Sequence, residues 1–368
     1  MDIKFYYIKK IKVLIYSNKD RKKIIDILDL NGAKVFKSNL LKNFLFLIIS
    51  IFKTLFVLDK IYKCRYSNKN FFKLTYEVYN IYRLNPDLII TGLFTSIDFN
   101  NLSKIITSIR FVSIQIGSGN GSISFSNINH YQYWLKQEIN EFWLLGEFFV
   151  NYFKNEGLNI KKSIVLGSIS NSLYNKKILI NKNIINLSKK YDVCIISNIK
   201  ENYPNHFTNQ IFYKNLYKVI IKSDLNAVFC GRYDKNNDPT GSMMERDYFN
   251  KYLGDKIDFI ENSEYSTYEL SDSSSVTIGD YTTAILESFA RGNKIMISNP
   301  SNHEELDFYI DGIWTLKDYD SQSIKKKLEE LINFNKKQWL EITEMQRNLM
   351  IKDANNTNTI SQFNDMLD

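Results

Sequence analysis

One stretch near the C-terminal end limits what this chain can fold into. It runs Ser274-Ser275-Val276-Thr277-Ile278-Gly279-Asp280-Tyr281-Thr282-Thr283-Ala284-Ile285-Leu286-Glu287-Ser288-Phe289-Ala290-Arg291-Gly292-Asn293-Lys294-Ile295-Met296-Ile297. Val276, Thr277 and Ile278 have the makings of a short buried strand, and Gly279-Asp280 of a turn. Thr282 or Thr283 then caps a helix, since a hydroxyl accepts from a backbone N–H left over at a helix start. Ala284, Ile285, Phe289 and Ala290 make a packed face, and Gly292 stops the helix where a left-handed residue is wanted. A second strand starts at Lys294. A helix start just beyond a strand's carboxyl end can hold a phosphate. Glu287, about one turn further on, can accept hydrogen bonds from a ribose. A plain βαβ unit of any doubly wound domain has the same local pattern.

The remaining chain extends that pattern in both directions. Apolar runs at 11–16, 88–92, 111–115, 142–145 and 163–166 read as strands, separated by helical runs such as 21–30, 76–84 and 102–109. Residues 33–36 read as the strand that completes a first βαβ unit. A second series restarts at Asp192-Val193-Cys194-Ile195-Ile196-Ser197-Asn198 and continues through 226–232 and 257–261. The chain has 368 residues, enough for two domains with separate cores. The expected division is an N-terminal domain over 1–170, a linker without a clear element over 171–190, a second domain over 191–335, and a C-terminal helix and tail over 336–368. Residues beyond Asp353 are polar and expected to fray. The fold class is α/β, with two Rossmann-like doubly wound domains.

Net charge is +8, which suits anionic partners such as nucleotides or phospholipids. The basic residues are spread along the chain and follow no nucleic-acid-binding motif. The most apolar segment, 40–58, is interrupted by Lys42 and Lys53 and is too short for a spanning helix. It reads as a buried helix or as one lying in a membrane interface. The interface reading draws on Lys60, Lys63, Arg65, Lys69 and Lys73, interleaved with Tyr62, Tyr66, Phe71 and Phe72. No signal peptide is read at the start. Cys64, Cys194 and Cys230 lack paired spacing, and the last two fall in apolar strands, which fits a reduced cytoplasm.

The chemistry-bearing residues cluster at predicted strand ends. Gln115-Ile116-Gly117-Ser118-Gly119-Asn120-Gly121 follows a strand and allows close backbone approach to a phosphate or sugar. It is not GxGxxG, so a dinucleotide site is not expected. Ser197 and Asn198 end the first strand of the second domain. Arg232 ends another and can pair a phosphate, while Ser266 and Tyr268 precede the capped helix and can flank a nucleotide. Glu201 and Asp234 are the candidate catalytic carboxylates, as base or nucleophile. His130, His206 and His303 are scattered, and Asp318-Tyr319-Asp320 sits by a polar turn, so no metal is expected. There is no GxSxG elbow, Walker A or kinase signature.

Residues 111–125, 142–168, 192–198 and above all 265–299 together resemble the GT-B glycosyltransferases of bacterial surface-carbohydrate (capsule or lipopolysaccharide O-antigen) synthesis. Within that class the chain is most similar to the retaining β-Kdo transferases. The resemblance implies two domains facing across a cleft and a metal-free transfer from a nucleotide-activated sugar, CMP-Kdo in those relatives, to a growing glycan. It implies no cofactor beyond that co-substrate. Gln115, Gly117, Gly119, Ser197, Asn198, Arg232, Ser266, Tyr268, Thr282, Thr283 and Glu287 would then bind donor. The acceptor would be a glycan or lipid-linked glycan. The stretch from Leu40 to Lys73 would hold the enzyme at the inner face of the cytoplasmic membrane. The Glu-Asp-Gly-type signature of some Kdo- and sialic-acid-transferring relatives is missing; Gln115-Ile116-Gly117 stands near its place. Three alternatives remain open: a CDP-polyol phosphotransferase of teichoic-acid type, whose paired histidines are absent here, a nucleotide-sugar epimerase, and a non-catalytic scaffold that binds nucleotide or glycan.

Overall fold

The structure, a computed structural model, describes residues 5–8, 11–16, 21–30, 34–36, 44–64, 68–117, 133–180, 189–197, 199, 206–254, 256–300 and 307–367. The chain forms two compact units: 1–116, 127–173 and 357–368 in the first, 117–126 and 174–356 in the second.

The first unit opens with β1 (Phe5–Ile8) and β2 (Ile11–Ile15), then α1 (Arg21–Leu30) and β3 (Lys34–Phe36). Three helices follow: α2 (Phe44–Phe56), α3 (Leu58–Cys64) and α4 (Asn68–Leu84). Next come β4 (Leu88–Thr91), α5 (Ile97–Ile105), β5 (Arg110–Ile114), β6 (Glu138–Leu144), α6 (Glu147–Asn155) and β7 (Asn159–Val165). The sheet order is β3-β1-β2-β4-β5-β6-β7, parallel from β2 to β7.

Alternation along the central strands builds two cores. Val13, Ile15, Leu88, Ile90, Val112 and Ile114 point to one face with Ile24, Ile27 and Leu28 of α1. Leu14, Ile89 and Phe111 point to the other, against Leu74 and Val78 of α4 and Phe99 and Leu102 of α5. Successive side chains of a strand face opposite ways, so a sheet covered on both faces needs unbroken apolar strands.

Residues 11–36 form the expected βαβ start, with β2 and β3 parallel to one another, but β1 lies between them and pairs antiparallel with both. One expectation fails in this unit: the C-terminal tail does not fray. Its last helix, α14 (Asn358–Asp365), belongs to the first unit. Phe363 is fully buried edge-on to Trp143, ring centroids 5.4 Å apart. Arg110 donates to the Met366 carbonyl at 2.6 Å and to both Glu141 carboxylate oxygens. A polar composition hid two apolar anchors, Phe363 and Leu367, one turn apart.

Residues 171–190 were expected to lack an element, yet α7 (Ile169–Ile180) occupies their first half. Residues up to 173 belong to the first unit and those from 174 to the second.

The second unit contains β8 (Tyr191–Ile196), α8 (His206–Lys222), β9 (Ala227–Cys230), α9 (Pro239–Tyr252) and β10 (Asp258–Ile260). It continues through α10 (Ser266–Asp272), β11 (Ser274–Gly279), α11 (Thr283–Ala290), β12 (Ile295–Ser298) and β13 (Thr315–Leu316). It ends with α12 (Ser321–Asn333) and α13 (Lys336–Met350). The order β10-β9-β8-β11-β12-β13 is all parallel. The chain runs outward from β8 to β10, then returns beside β8 and runs the other way. A topological switch point therefore lies between β8 and β11. Cys194 and Cys230 are buried free thiols in this sheet. Asp320 caps α12, accepting from the Gln322 and Ser323 N–H groups, which accounts for one acid of Asp318-Tyr319-Asp320.

Candidate functional site

In open parallel sheets, ligands bind beyond the carboxyl ends of the strands at the switch point. Two predicted segments meet there: Ser197 after β8, and Gly279 to Thr283 after β11. The opening stretch folds as read. Thr282 is the N-cap of α11, in extended conformation, and its Oγ accepts from the Ile285 N–H at 3.4 Å. Asp280 braces the turn by accepting from the Thr282 N–H at 3.2 Å. Gly292 ends the helix with φ +89°, the left-handed value expected of it. Gly117 groups with this unit, and a Cβ on it would stand 3.2 Å from Thr283 Oγ1. Glycine there leaves space beside the helix start.

Glu287 and Tyr268 meet between α10 and α11. Glu287 is 2% exposed, and one carboxylate oxygen accepts from the Tyr268 hydroxyl at 2.5 Å. This bond ties α10 to α11. A second tie lies beside it. Arg291 pairs with Asp272 at 3.0 Å and places its guanidinium 4.7 Å from the Tyr268 ring centroid. Tyr174 packs on the same ring, 5.0 Å away. A buried carboxylate beside a capped helix start can orient sugar hydroxyls while the helix N–H groups face an anion.

Other predicted residues are occupied with local structure. The Ser266 Oγ accepts from the Ser263 N–H at 3.0 Å and closes the turn before α10. Asp234 accepts from the Asn236 N–H at 2.8 Å and from the Asn237 amide at 2.5 Å, shaping the turn into α9. Arg232 is exposed at the end of β9, its guanidinium 5.9 Å from the Tyr233 ring. Gln115 lies in the first unit, after β5, 2% exposed; its Oε1 accepts from the Leu145 N–H at 3.2 Å. Its Nε2 has no hydrogen-bond partner among the described residues. Glu201, Asn198 and Gly119 lie outside the described residues. Among the described residues no group of three or more His, Cys, Asp or Glu is placed to hold a metal ion.

Sequence reasoning missed Glu245, which reads there as one more polar residue of a helix. It is fully buried on α9. Ser197 donates its hydroxyl to one carboxylate oxygen, and the Arg232 N–H lies 2.9 Å from both. Gly231 allows this approach, since a Cβ there would fall 2.9 Å from Glu245 Oε2. Glu245 thus fixes the loops after β8 and β9 relative to each other. Its signal in the sequence is faint: a Gly-Arg strand end followed by a lone acid on the inward face of the next helix.

Burial pushes the Glu245 carboxyl above its usual range, against the opposing pull of Ser197 and the Arg232 and Tyr233 N–H groups. A carboxyl raised in the folded state adds stability below its unfolded value and loses it as pH rises through the folded one. Glu245→Gln keeps the size and does not titrate. Its melting temperature relative to the wild type should rise as pH climbs from the ordinary carboxyl value, about 4, through neutrality. A constant offset across that range would show that Glu245 does not titrate differently on folding.

The sequence matches no protein-family model and no curated protein. Solved structures are similar. One is the UDP-GlcNAc 2-epimerase of Neisseria meningitidis bound to UDP-GlcNAc, with TM-score 0.52 and 15% identity, over 94% of this chain and 89% of that one. Another is S. aureus MnaA with UDP, with TM-score 0.52 and 12% identity, over 94% and 84%. At such identities the likeness concerns the fold, and the chain has a GT-B-like α/β fold: two sheets of mainly parallel strands covered by helices.

Proposed function

We propose that the chain is a nucleotide-sugar-dependent glycosyltransferase that extends a bacterial surface glycan. The observation that carries this reading is the Tyr268–Glu287 pair beside the Thr282-capped start of α11, at the switch point of a parallel sheet. In this reading the donor diphosphate faces the N–H groups of α11 and its ribose hydroxyls meet Glu287. The similar structures hold UDP-GlcNAc and UDP, so a UDP-sugar is the first donor to test and CMP-Kdo the second. The acceptor is a glycan or lipid-linked glycan, and the enzyme works peripherally at the inner face of the cytoplasmic membrane. No helix among the described residues is long and apolar enough to cross a membrane.

The test is a thermal-shift series with UDP, CMP, CDP, GDP, dTDP and ADP, each with and without Mg²⁺. A ligand that binds only the native state raises the melting temperature by mass action. A shift with UDP supports the UDP-sugar, and one confined to CMP restores Kdo. CDP preference favours a polyol-phosphate donor, and no shift with any nucleotide sinks the reading.

A second reading, an epimerase acting on the sugar of a bound UDP-sugar, is favoured by the near full-length likeness to the Neisseria protein. It needs no acceptor. Incubation with UDP-GlcNAc alone separates the two: a new sugar isomer without acceptor means epimerase. Gln115, whose amide cannot take a proton, is one residue at the end of β5 that would not serve such chemistry as a base.

A further inference from the structure

Helix α2 is built inside out. Its buried residues among those described include Ser50 and Thr54, while Ile51, Phe52, Leu55 and Phe56 face outward. Thr54 returns its hydroxyl to the Ser50 carbonyl at 2.7 Å, so this inward hydroxyl is bonded along the helix. A helix of a soluble domain normally does the reverse. Phe56 is 85% exposed and, on α4, Phe72 is 78% exposed, with Tyr76 one turn further on. Between α2 and α4 an apolar groove of about 330 Å³ is lined by Ile51, Leu55, Leu58, Phe72, Tyr76 and Tyr79. Isolated exposed apolar residues are ordinary, but a continuous patch of large ones marks an interaction surface.

The segments that carry the patch are basic. At 100° per residue, Ile51, Leu55, Phe52 and Phe56 fill one arc of α2 and Lys53 lies at its edge. Lys60 and Lys63 of α3 are also exposed. Lys63 pairs with exposed Asp59 at 2.6 Å, and Lys73 of α4 pairs with Asp98. Between residues 44 and 76 the sequence carries Lys53, Lys60, Lys63, Arg65, Lys69 and Lys73 against a single acid, Asp59.

We propose that this α2–α4 face docks on an anionic lipid bilayer. Phe52, Leu55, Phe56, Phe72 and Tyr76 enter the boundary between headgroups and acyl chains, and Lys53, Lys60 and Lys63 meet the headgroup phosphates. The apolar arc supplies burial and the lysines supply attraction to negative lipid, the pairing by which interfacial helices bind. A protein partner of ordinary surface would match the apolar groove but would have no need of the basic residues carried on the same helices. The inference rests on the peripheral location proposed above and is independent of the reaction catalysed.

Sedimentation of the full chain with phosphatidylglycerol vesicles and with phosphatidylcholine vesicles tests it, alongside Phe52→Ser/Phe56→Ser/Phe72→Ser and Lys60→Gln/Lys63→Gln. All five substitutions are on exposed side chains, and an unchanged melting temperature confirms the fold. Wild type should bind phosphatidylglycerol vesicles and bind phosphatidylcholine much more weakly. The serine variant should lose at least about tenfold in bound fraction, and the glutamine variant roughly fivefold per lysine. If wild type and serine variant bind alike, this face is wrong although the location stands. If wild type binds neither vesicle, the location itself fails and the proposal with it. A wild-type dimer that the serine substitutions dissociate would assign the face to a second copy and overturn the proposal.

Discussion

Glu287→Gln should bind a nucleoside diphosphate about fivefold to tenfold more weakly than the wild type, with little change in melting temperature. The amide keeps the volume, and its carbonyl can still accept from the Tyr268 hydroxyl that now sits 2.5 Å from the carboxylate. What disappears is the negative charge at a site that is 2% exposed. Hydrogen bonds to a charged group contribute about 1.5–3 kcal/mol, about twice the neutral kind, and that difference sets the expected loss. Tyr268→Phe should cost only a few-fold, because it frees one lone pair of the carboxylate and leaves the charge. Isothermal titration with UDP measures both. Equal affinity of Glu287→Gln and wild type would mean that Glu287 only braces α10 against α11, and the donor site would have to be sought elsewhere.

The largest stability effect is expected at Lys294. Its ammonium donates to the carbonyls of Leu331 at 2.7 Å, Ile332 at 2.8 Å and Phe334 at 2.7 Å, where α12 ends. The last carbonyls of a helix have no partner within it, and a cation there also meets the negative end of the helix dipole. Lys294 is 4% exposed, so water does not readily replace it. Lys294→Met keeps the aliphatic length and removes all three donors. Urea unfolding should show a loss of about 2–4 kcal/mol, since a buried unpaired carbonyl costs about 1–3 kcal/mol and some relaxation is expected.

The same residue carries a pH signature. Burial, with the nearby charges of Lys189 and Lys336, lowers Lys294 from 10.5 to about 8. The native state then sheds the proton first, so this group adds stability as pH rises from its folded value towards its unfolded one. The gap between wild type and Lys294→Met should widen from about pH 8 to about pH 10. A loss under about 1 kcal/mol at neutral pH would mean the three carbonyls find water.

Legibility varied with the range over which each feature is decided. The stretch 274–297 was readable because every step in it is local: an apolar strand, a hydroxyl cap at Thr282, a stop at Gly292. Strands of the parallel core were readable because sheets covered on both faces need unbroken apolar runs, as at Leu88–Thr91. α7 was missed because its Asn- and Ser-rich start reads as loop, although Ile169 and Leu173 anchor it in the first core. At the start of the first unit β1 was missed, because a short apolar run such as Phe5–Ile8 does not state which neighbour it pairs with. β1, β2 and β3 close by antiparallel pairing that no residue type among them specifies.

The candidate residues divide in the same way. The sequence by itself determined that two α/β units form and that Thr282, Thr283 and Glu287 share one helix start. Those features follow from caps, stops and periodicity within about thirty residues. It also determined that the segment around Phe52 and Phe72 is apolar and basic at once. Only the tertiary structure decided that Tyr268 meets Glu287, that Ser197 is drawn to Glu245, and that Lys294 closes the end of α12. It alone decided that α2 turns its large apolar side chains outward. The reason is physical: a hydrogen bond or a buried face joins groups that are 19 to 48 residues apart in these pairs, and such meetings are set by sheet order and packing. Composition and spacing fix what each segment can do, and the order β10-β9-β8-β11-β12-β13 fixes which of them do it together.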